Sequence, residues 1–194
     1  MSGTLRPVTP DRHEFLGQID AATGRLLETL RSLTASELRQ PSLLPGWSRG
    51  HVLTHVARSA DAMRNLLTWA RTGIPTPAYP SPEAREAAIR PGANRDAAGL
   101  LADLTESARA FRDAALALPG QAWQVQVQVR VLDSAQFPAS ELLVRRLVEV
   151  ELHHTDLDTG YRPADWSPGF TRLQLPEPMR SQREDRLTWF AHRR

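Results

Sequence analysis

Proline placement constrains the fold of this chain more than any other feature. The 15 prolines leave four long proline-free windows, 11–40, 46–74, 92–118 and 139–162. Proline breaks helix interiors, because its ring removes a donor and clashes with the preceding turn. These windows are therefore the helix candidates. In the first, Leu16, Ile19, Leu26, Leu27, Leu30 and Leu33 keep the spacing of one helical face, and Thr9-Pro10 is a start signal. The second starts at Ser48 and carries Val52, Val56, Met63, Leu66 and Leu67. The third, near 94–117, carries Leu100, Leu101, Leu104, Ala108 and Phe111 and stops at Pro119-Gly120. The fourth starts near Ser140 and runs to about Leu157. It is apolar almost all round, which predicts burial on most sides.

The connections add detail. Residues 72–92, rich in Pro, Ser and Ala, read as a crossover loop with a short helix at 82–89. Trp123, Val125, Val127, Val129 and Val131 alternate with Gln124, Gln126, Gln128 and Arg130, which predicts a strand. The tail after 162 is irregular, with a last helical stretch near 181–192. The expected fold is mainly α: a four-helix bundle with a crossover connection, one short β-strand segment near 123–131 and a short irregular C-terminal tail. An exposed edge on that strand would allow a homodimer as well as a monomer.

Composition narrows the function classes. Apolar residues make up 41% and charged residues 24%, ordinary globular values. No apolar run is long enough to span a bilayer. The first 15 residues have no apolar secretion core, so the expected location is the cytoplasm. All 24 basic side chains are arginine and are dispersed among 22 acidic ones, which argues against nucleic acid as a partner. The arginine bias is that of a GC-rich genome. There is no cysteine, so any thiol chemistry must be brought in by a cofactor.

Four of the six histidines fall in two tight pairs, each on a long helix. In His51-Val52-Leu53-Thr54-His55, His51 heads a polar stripe with Thr54, Arg58, Asp61 and Asn65. His55 lies on a small, apolar one with Val52, Ser59, Ala62 and Leu66, and faces inward. The second pair sits in Glu149-Val150-Glu151-Leu152-His153-His154-Thr155-Asp156. Glu149 and His153 share a helical face that Asp156 continues. Two glutamates and two histidines in an apolar helix are costly to bury without partners. A divalent cation would offset that cost, and so would an ion pair of Glu149 with Arg145 or Arg146. Glu151 with His154 is a competing ligand pair on spacing alone. His55, Glu149 and His153 together would make a two-histidine, one-carboxylate set with an open position, which suits zinc or Fe(II). HExxH, GxGxxG, P-loop and GxSxG motifs are absent, and Asp156-Leu157-Asp158-Thr159-Gly160 lacks the spacing of a calcium loop.

Leu44-Pro45-Gly46-Trp47-Ser48 through His55 to Met63, followed far downstream by Arg145 to Tyr161, resembles the mycothiol-dependent maleylpyruvate isomerase family, a branch of the DinB-like four-helix metalloenzymes. The resemblance covers roughly residues 10–162. It implies a divalent metal, most often zinc, held at the positions of His55, Glu149 and His153. Asp156 would hydrogen-bond a ligand imidazole from behind, and His154 would not be a ligand. It implies mycothiol or a similar small thiol as cofactor, an actinobacterial source, and isomerisation or S-transfer on a small electrophilic substrate. The corresponding domains are 1–162, the metal-binding bundle, and 163–194, a short extension where isomerases of the family carry a larger C-terminal domain. Two other functions use the same residues: a non-catalytic stress or ligand-binding bundle, and a thiol-independent metal hydrolase.

Overall fold

The computed structural model describes residues 12–129 and 135–193. Four long helices form the body: α1 (Arg12–Ser32), α3 (Arg49–Thr72), α5 (Ala97–Leu116) and α6 (Glu141–Asp156). Four shorter ones are α2 (Ala35–Leu38), α4 (Pro82–Ile89), α7 (Pro168–Thr171) and α8 (Met179–Ala191). Each of α1 and α3 packs on both α5 and α6. The first and second long helices therefore lie across the bundle from one another, and the chain crosses over between them. None of the helices is long and apolar enough to cross a membrane among the described residues.

The boundaries follow local chemistry. Ser48 caps α3, with its hydroxyl accepting from the His51 backbone N–H while His51 Nδ1 accepts from Ser48 N at 3.1 Å. Gly73, at φ 72°, closes α3 in the left-handed conformation. Ser81 caps α4, with Pro82 in its first turn. The proposed Thr9-Pro10 start lies outside the described residues. The third long helix begins later than its pattern suggested: Arg90–Asn94 forms a 3-10 turn, and Asp96 caps α5. That turn nests against α3 at a glycine pair. A Cβ on Gly50 would lie 2.3 Å from the Gly92 carbonyl oxygen, so only glycine permits the approach.

The alternating segment is only partly a strand. Gly120–Gln124 is a 3-10 turn that buries Trp123, and β1 (Gln126–Val127) pairs antiparallel with β2 (Phe137–Pro138). Arg130 and Val131 lie outside the described residues. Alternation survives as burial at Gln126 (exposed) and Val127 (buried), but Gln128 is buried too. The strand is short because a strand needs a partner ladder, and Pro138 cannot donate to one. Two residues beyond the end of β1, Val129 O accepts from Ala78 N at 3.2 Å.

The core is one cluster that includes Leu26 and Leu30 of α1, Val52 and Val56 of α3, Leu104 and Phe111 of α5 and Leu147 and Val150 of α6. The tail folds back on it: α8 packs against α6, and Phe170 of α7 is fully buried.

Candidate metal centre

The site lies where α3 meets α6. The cap spends His51 at the helix start, half-exposed and stacked on Trp47. One turn later, His55 points inward with its ring edge-on to Trp47 at 5.4 Å. From α6, Glu149 and His153 arrive on adjacent turns. Glu149 Oε2 is 3.1 Å from His55 Nε2 and 3.6 Å from His153 Nε2. The two imidazoles stand nearly perpendicular, with centroids 4.7 Å apart. One donor atom from each of the three residues lies within 4.8 Å of the others.

The two separations from Glu149 Oε2, 3.1 and 3.6 Å, lie near the spacing of donors around one cation. Ligand bonds of about 2.0–2.2 Å in a tetrahedral site put donor atoms about 3.3–3.6 Å apart. Glu149 Oε2 is also buried with no hydrogen-bond partner. The contact with His55 thus lacks the alignment of a hydrogen bond. A carboxylate oxygen within 3.6 Å of two imidazole nitrogens, with no aligned hydrogen bond to either, has the arrangement of a ligand to a shared ion.

The surroundings fix protonation. His153 Nδ1 lies 2.9 Å from Asp156 Oδ2. A carboxylate accepts, so Nδ1 carries a proton in this contact, which would leave Nε2 as the nitrogen to hold an ion. Burial raises the Asp156 carboxyl, but the bonds from His153 and Arg186 outweigh it and keep it anionic. Burial pushes the His55 imidazole down, only partly offset by Glu149. Burial raises Glu149, yet His55, His153 and Arg146 together hold it well below the usual carboxylate range. Arg85 of α4 approaches His55 Nδ1 at 3.4 Å.

The ion pair between Glu149 and Arg145 or Arg146 is not formed as a contact. Arg145 pairs with Glu141 at 2.6 Å and lies 4.0 Å over the Phe137 ring. Arg146 is fully buried and donates to Val56 O and Ser59 Oγ at 2.8 and 3.0 Å. Glu151 and His154 face α1 instead. Arg25 bonds Glu151 at 3.0 Å, and the Tyr161 hydroxyl donates to its other oxygen. His154 Nε2 meets Thr29 Oγ1 at 2.8 Å, and its ring stacks on Tyr161 at 3.7 Å. Both members of that pair are satisfied without an ion.

A cavity of about 420 Å³ opens onto the three donors. Trp47, Tyr79, Arg85 and Arg145 line it, and α8 adds Met179, Gln182 and Arg186. The contribution of α8 had no sequence signal, because Arg186 is one of 24 arginines with nothing to single it out.

The model of the mycothiol maleylpyruvate isomerase N-terminal domain matches residues 19–158. Among solved structures, a crystal structure of the mycothiol-dependent maleylpyruvate isomerase superposes with a TM-score of 0.76 at 32% identity. It covers 82% of this chain, and this chain covers 66% of it, just under two thirds of its length. A histidine-to-alanine mutant of that isomerase gives the same values. YfiT from Bacillus subtilis, described as a probable metal-dependent hydrolase with an unusual four-helix bundle topology, superposes at 0.67 with 17% identity. It covers 86% of this chain and 95% of its own, a likeness of fold. No curated protein matches the sequence.

Proposed function

The chain belongs to the mycothiol maleylpyruvate isomerase N-terminal domain family, and on that premise we propose that it is a divalent-metal enzyme that uses a small thiol cofactor. The metal is zinc and the thiol is mycothiol or a close chemical relative. The reaction is isomerisation or S-transfer on a small electrophilic substrate. The observation that carries this reading is the buried Glu149 oxygen, without an aligned hydrogen bond and within 3.6 Å of the Nε2 atoms of both His55 and His153.

His55, Glu149 and His153 would hold the ion. When bound, it supplies Lewis acidity beside the cavity and favours the thiolate form of a thiol. The protein does the rest. Asp156 keeps the His153 lone pair facing the site. Burial keeps the His55 imidazole neutral, the form that ligates. Trp47 and Met179 wall the cavity with apolar surface, and its volume suits a small molecule. Because the chain supplies no cysteine, a sulfur nucleophile must come from outside it. In this reading 1–162 is the metal-binding domain and 163–194 the extension that caps it.

Elemental analysis of tag-free protein, with a thermal-shift screen of low-molecular-weight thiols, tests the assignment. About one zinc per chain is expected, lost in folded His55→Ala and Glu149→Ala variants, with thiols raising the melting temperature only of the zinc-loaded protein. Variants that bind zinc as well as wild type would refute the ligand set. Turnover that needs no thiol would move the assignment to a metal-dependent hydrolase.

A further inference from the structure

We propose that Arg186, on the C-terminal helix α8, is a positioning residue of the metal centre, so that ion binding and docking of α8 are coupled. This rests on the metal reading of the preceding section. The geometry is a chain of three side chains. Arg186 Nε donates to Asp156 Oδ1 at 3.0 Å, and its terminal nitrogen donates to Oδ2 at 2.8 Å. Asp156 Oδ2 accepts from His153 Nδ1 at 2.9 Å. His153 Nε2 then faces Glu149 and the site.

A two-point guanidinium grip fixes the plane of a carboxylate as well as its place. Asp156 is almost completely buried, so no water competes for its oxygens. With both held, it has one orientation in which to meet His153. That orientation sets both the imidazole ring and the nitrogen that carries the proton. Partners behind a ligand histidine govern metal affinity by about 10- to 100-fold. Arg186 also donates to Gln182 O at 3.1 Å and lines the cavity, so its position reports that of α8. Coupling between two events is reciprocal. If docked α8 favours the ion, the ion must favour docked α8.

Arg183 supplies the control. It sits one turn before Arg186 and donates to the Phe170 and Leu173 carbonyls at 3.1 Å each, with no bond to Asp156. Its loss removes bonds to the Phe170–Leu173 segment and leaves the grip of α8 on the carboxylate in place.

The test is zinc affinity at fixed pH, by competition with a chromophoric chelator, with hydrogen exchange read across Met179–Ala191. Arg186→Ala should weaken zinc about 10- to 100-fold. Arg186→Lys keeps the charge but not the fork, and should fall between it and wild type. Arg183→Ala should bind zinc within about twofold of wild type, well short of that penalty. Zinc should slow exchange across 179–191 in wild type. If Arg186→Ala does not fold, Arg186→Lys and the wild-type exchange data decide. Unchanged affinity in Arg186→Lys and Arg186→Ala, equal weakening in Arg183→Ala, or exchange indifferent to zinc each overturns the coupling alone. A wild-type protein that binds no zinc overturns the metal reading itself.

Discussion

Acidification should destabilise the metal-free protein through His154. The residue is 1% exposed, stacked on Tyr161 and bonded to Thr29. Burial, reinforced by the charge of Arg25, pushes its imidazole pKa down to about 3, against an ordinary value of 6.5. Above pH 6.5 both folded and unfolded chains carry it neutral, and it does not affect stability. Below 6.5 the unfolded chain takes up a proton that the folded one refuses, so stability falls with pH until the folded value is reached. Each pH unit in that window is worth about 1.4 kcal/mol, so going from pH 7 to 4.5 removes about 2.5 kcal/mol. In a chain of this size that is a drop in melting temperature of about 5–10 °C. Asp156, Glu149 and His55, all with lowered pKa values, add losses of the same sign. The contribution of His154 is therefore read as a difference. His154→Phe keeps a ring against Tyr161 and cannot titrate. Urea unfolding of both proteins in EDTA, at steps between pH 7 and 4.5, should show the gap between them shift by about 2.5 kcal/mol in favour of the variant. Parallel curves would mean that His154 is protonated in the folded state and would refute the burial argument.

Other consequences are equally direct. His51→Ala removes the reciprocal half of the α3 capping box, the bond from Ser48 N to His51 Nδ1, and should cost about 0.5–1.5 kcal/mol of stability, while zinc stoichiometry by elemental analysis stays at the wild-type value. Glu151→Ala removes the partner of Arg25 and Tyr161 and should cost about 3 kcal/mol in chemical denaturation. Its zinc affinity should stay within about twofold of wild type, far from the 10- to 100-fold loss expected of a group that supports a ligand. Gly50→Ala drives a Cβ into the Gly92 carbonyl and should destabilise by about 1–3 kcal/mol. Gly17→Ala, on α1 with open space around it, should stabilise by about 0.5–1 kcal/mol, and thermal melts of the two should move in opposite directions.

The bundle was legible because its determinants are local. Ser48 before an apolar stripe, Ser81-Pro82, and Pro119 after Phe111 each mark a helix end with chemistry confined to a few residues. The segment 120–131 was less so, since its alternation describes one pleated face while strand length depends on what lies alongside. The 3-10 turn at 90–94 was not legible either, because it is set by the Gly50–Gly92 approach, a tertiary contact. At the site, His55 could be told from His51 by the stripe each occupies. Arg186 could not be told from its neighbours on α8, as its role comes from Asp156, thirty positions away.

Helix α6 shows why spacing alone could not choose its ligands. It presents a glutamate and a histidine on each of two faces, Glu149 with His153 and Glu151 with His154, all in an apolar setting. The faces differ in what meets them. On one, α1 and the Tyr161 turn return a guanidinium, two hydroxyls and an aromatic ring, and both Glu151 oxygens and His154 Nε2 are hydrogen-bonded. On the other, α3 returns only a second imidazole, and a buried carboxylate oxygen is left without a hydrogen bond. An orphaned buried acceptor costs about 1–3 kcal/mol. The same helix shows that this chain can satisfy a buried glutamate with ordinary side chains when structure is all that is needed. Glu149 and its two imidazoles instead converge on a shared point beside a cavity, with Asp156 and Arg186 orienting one of them from behind. That asymmetry within a single helix is the support for the proposal that the α3 face holds an ion.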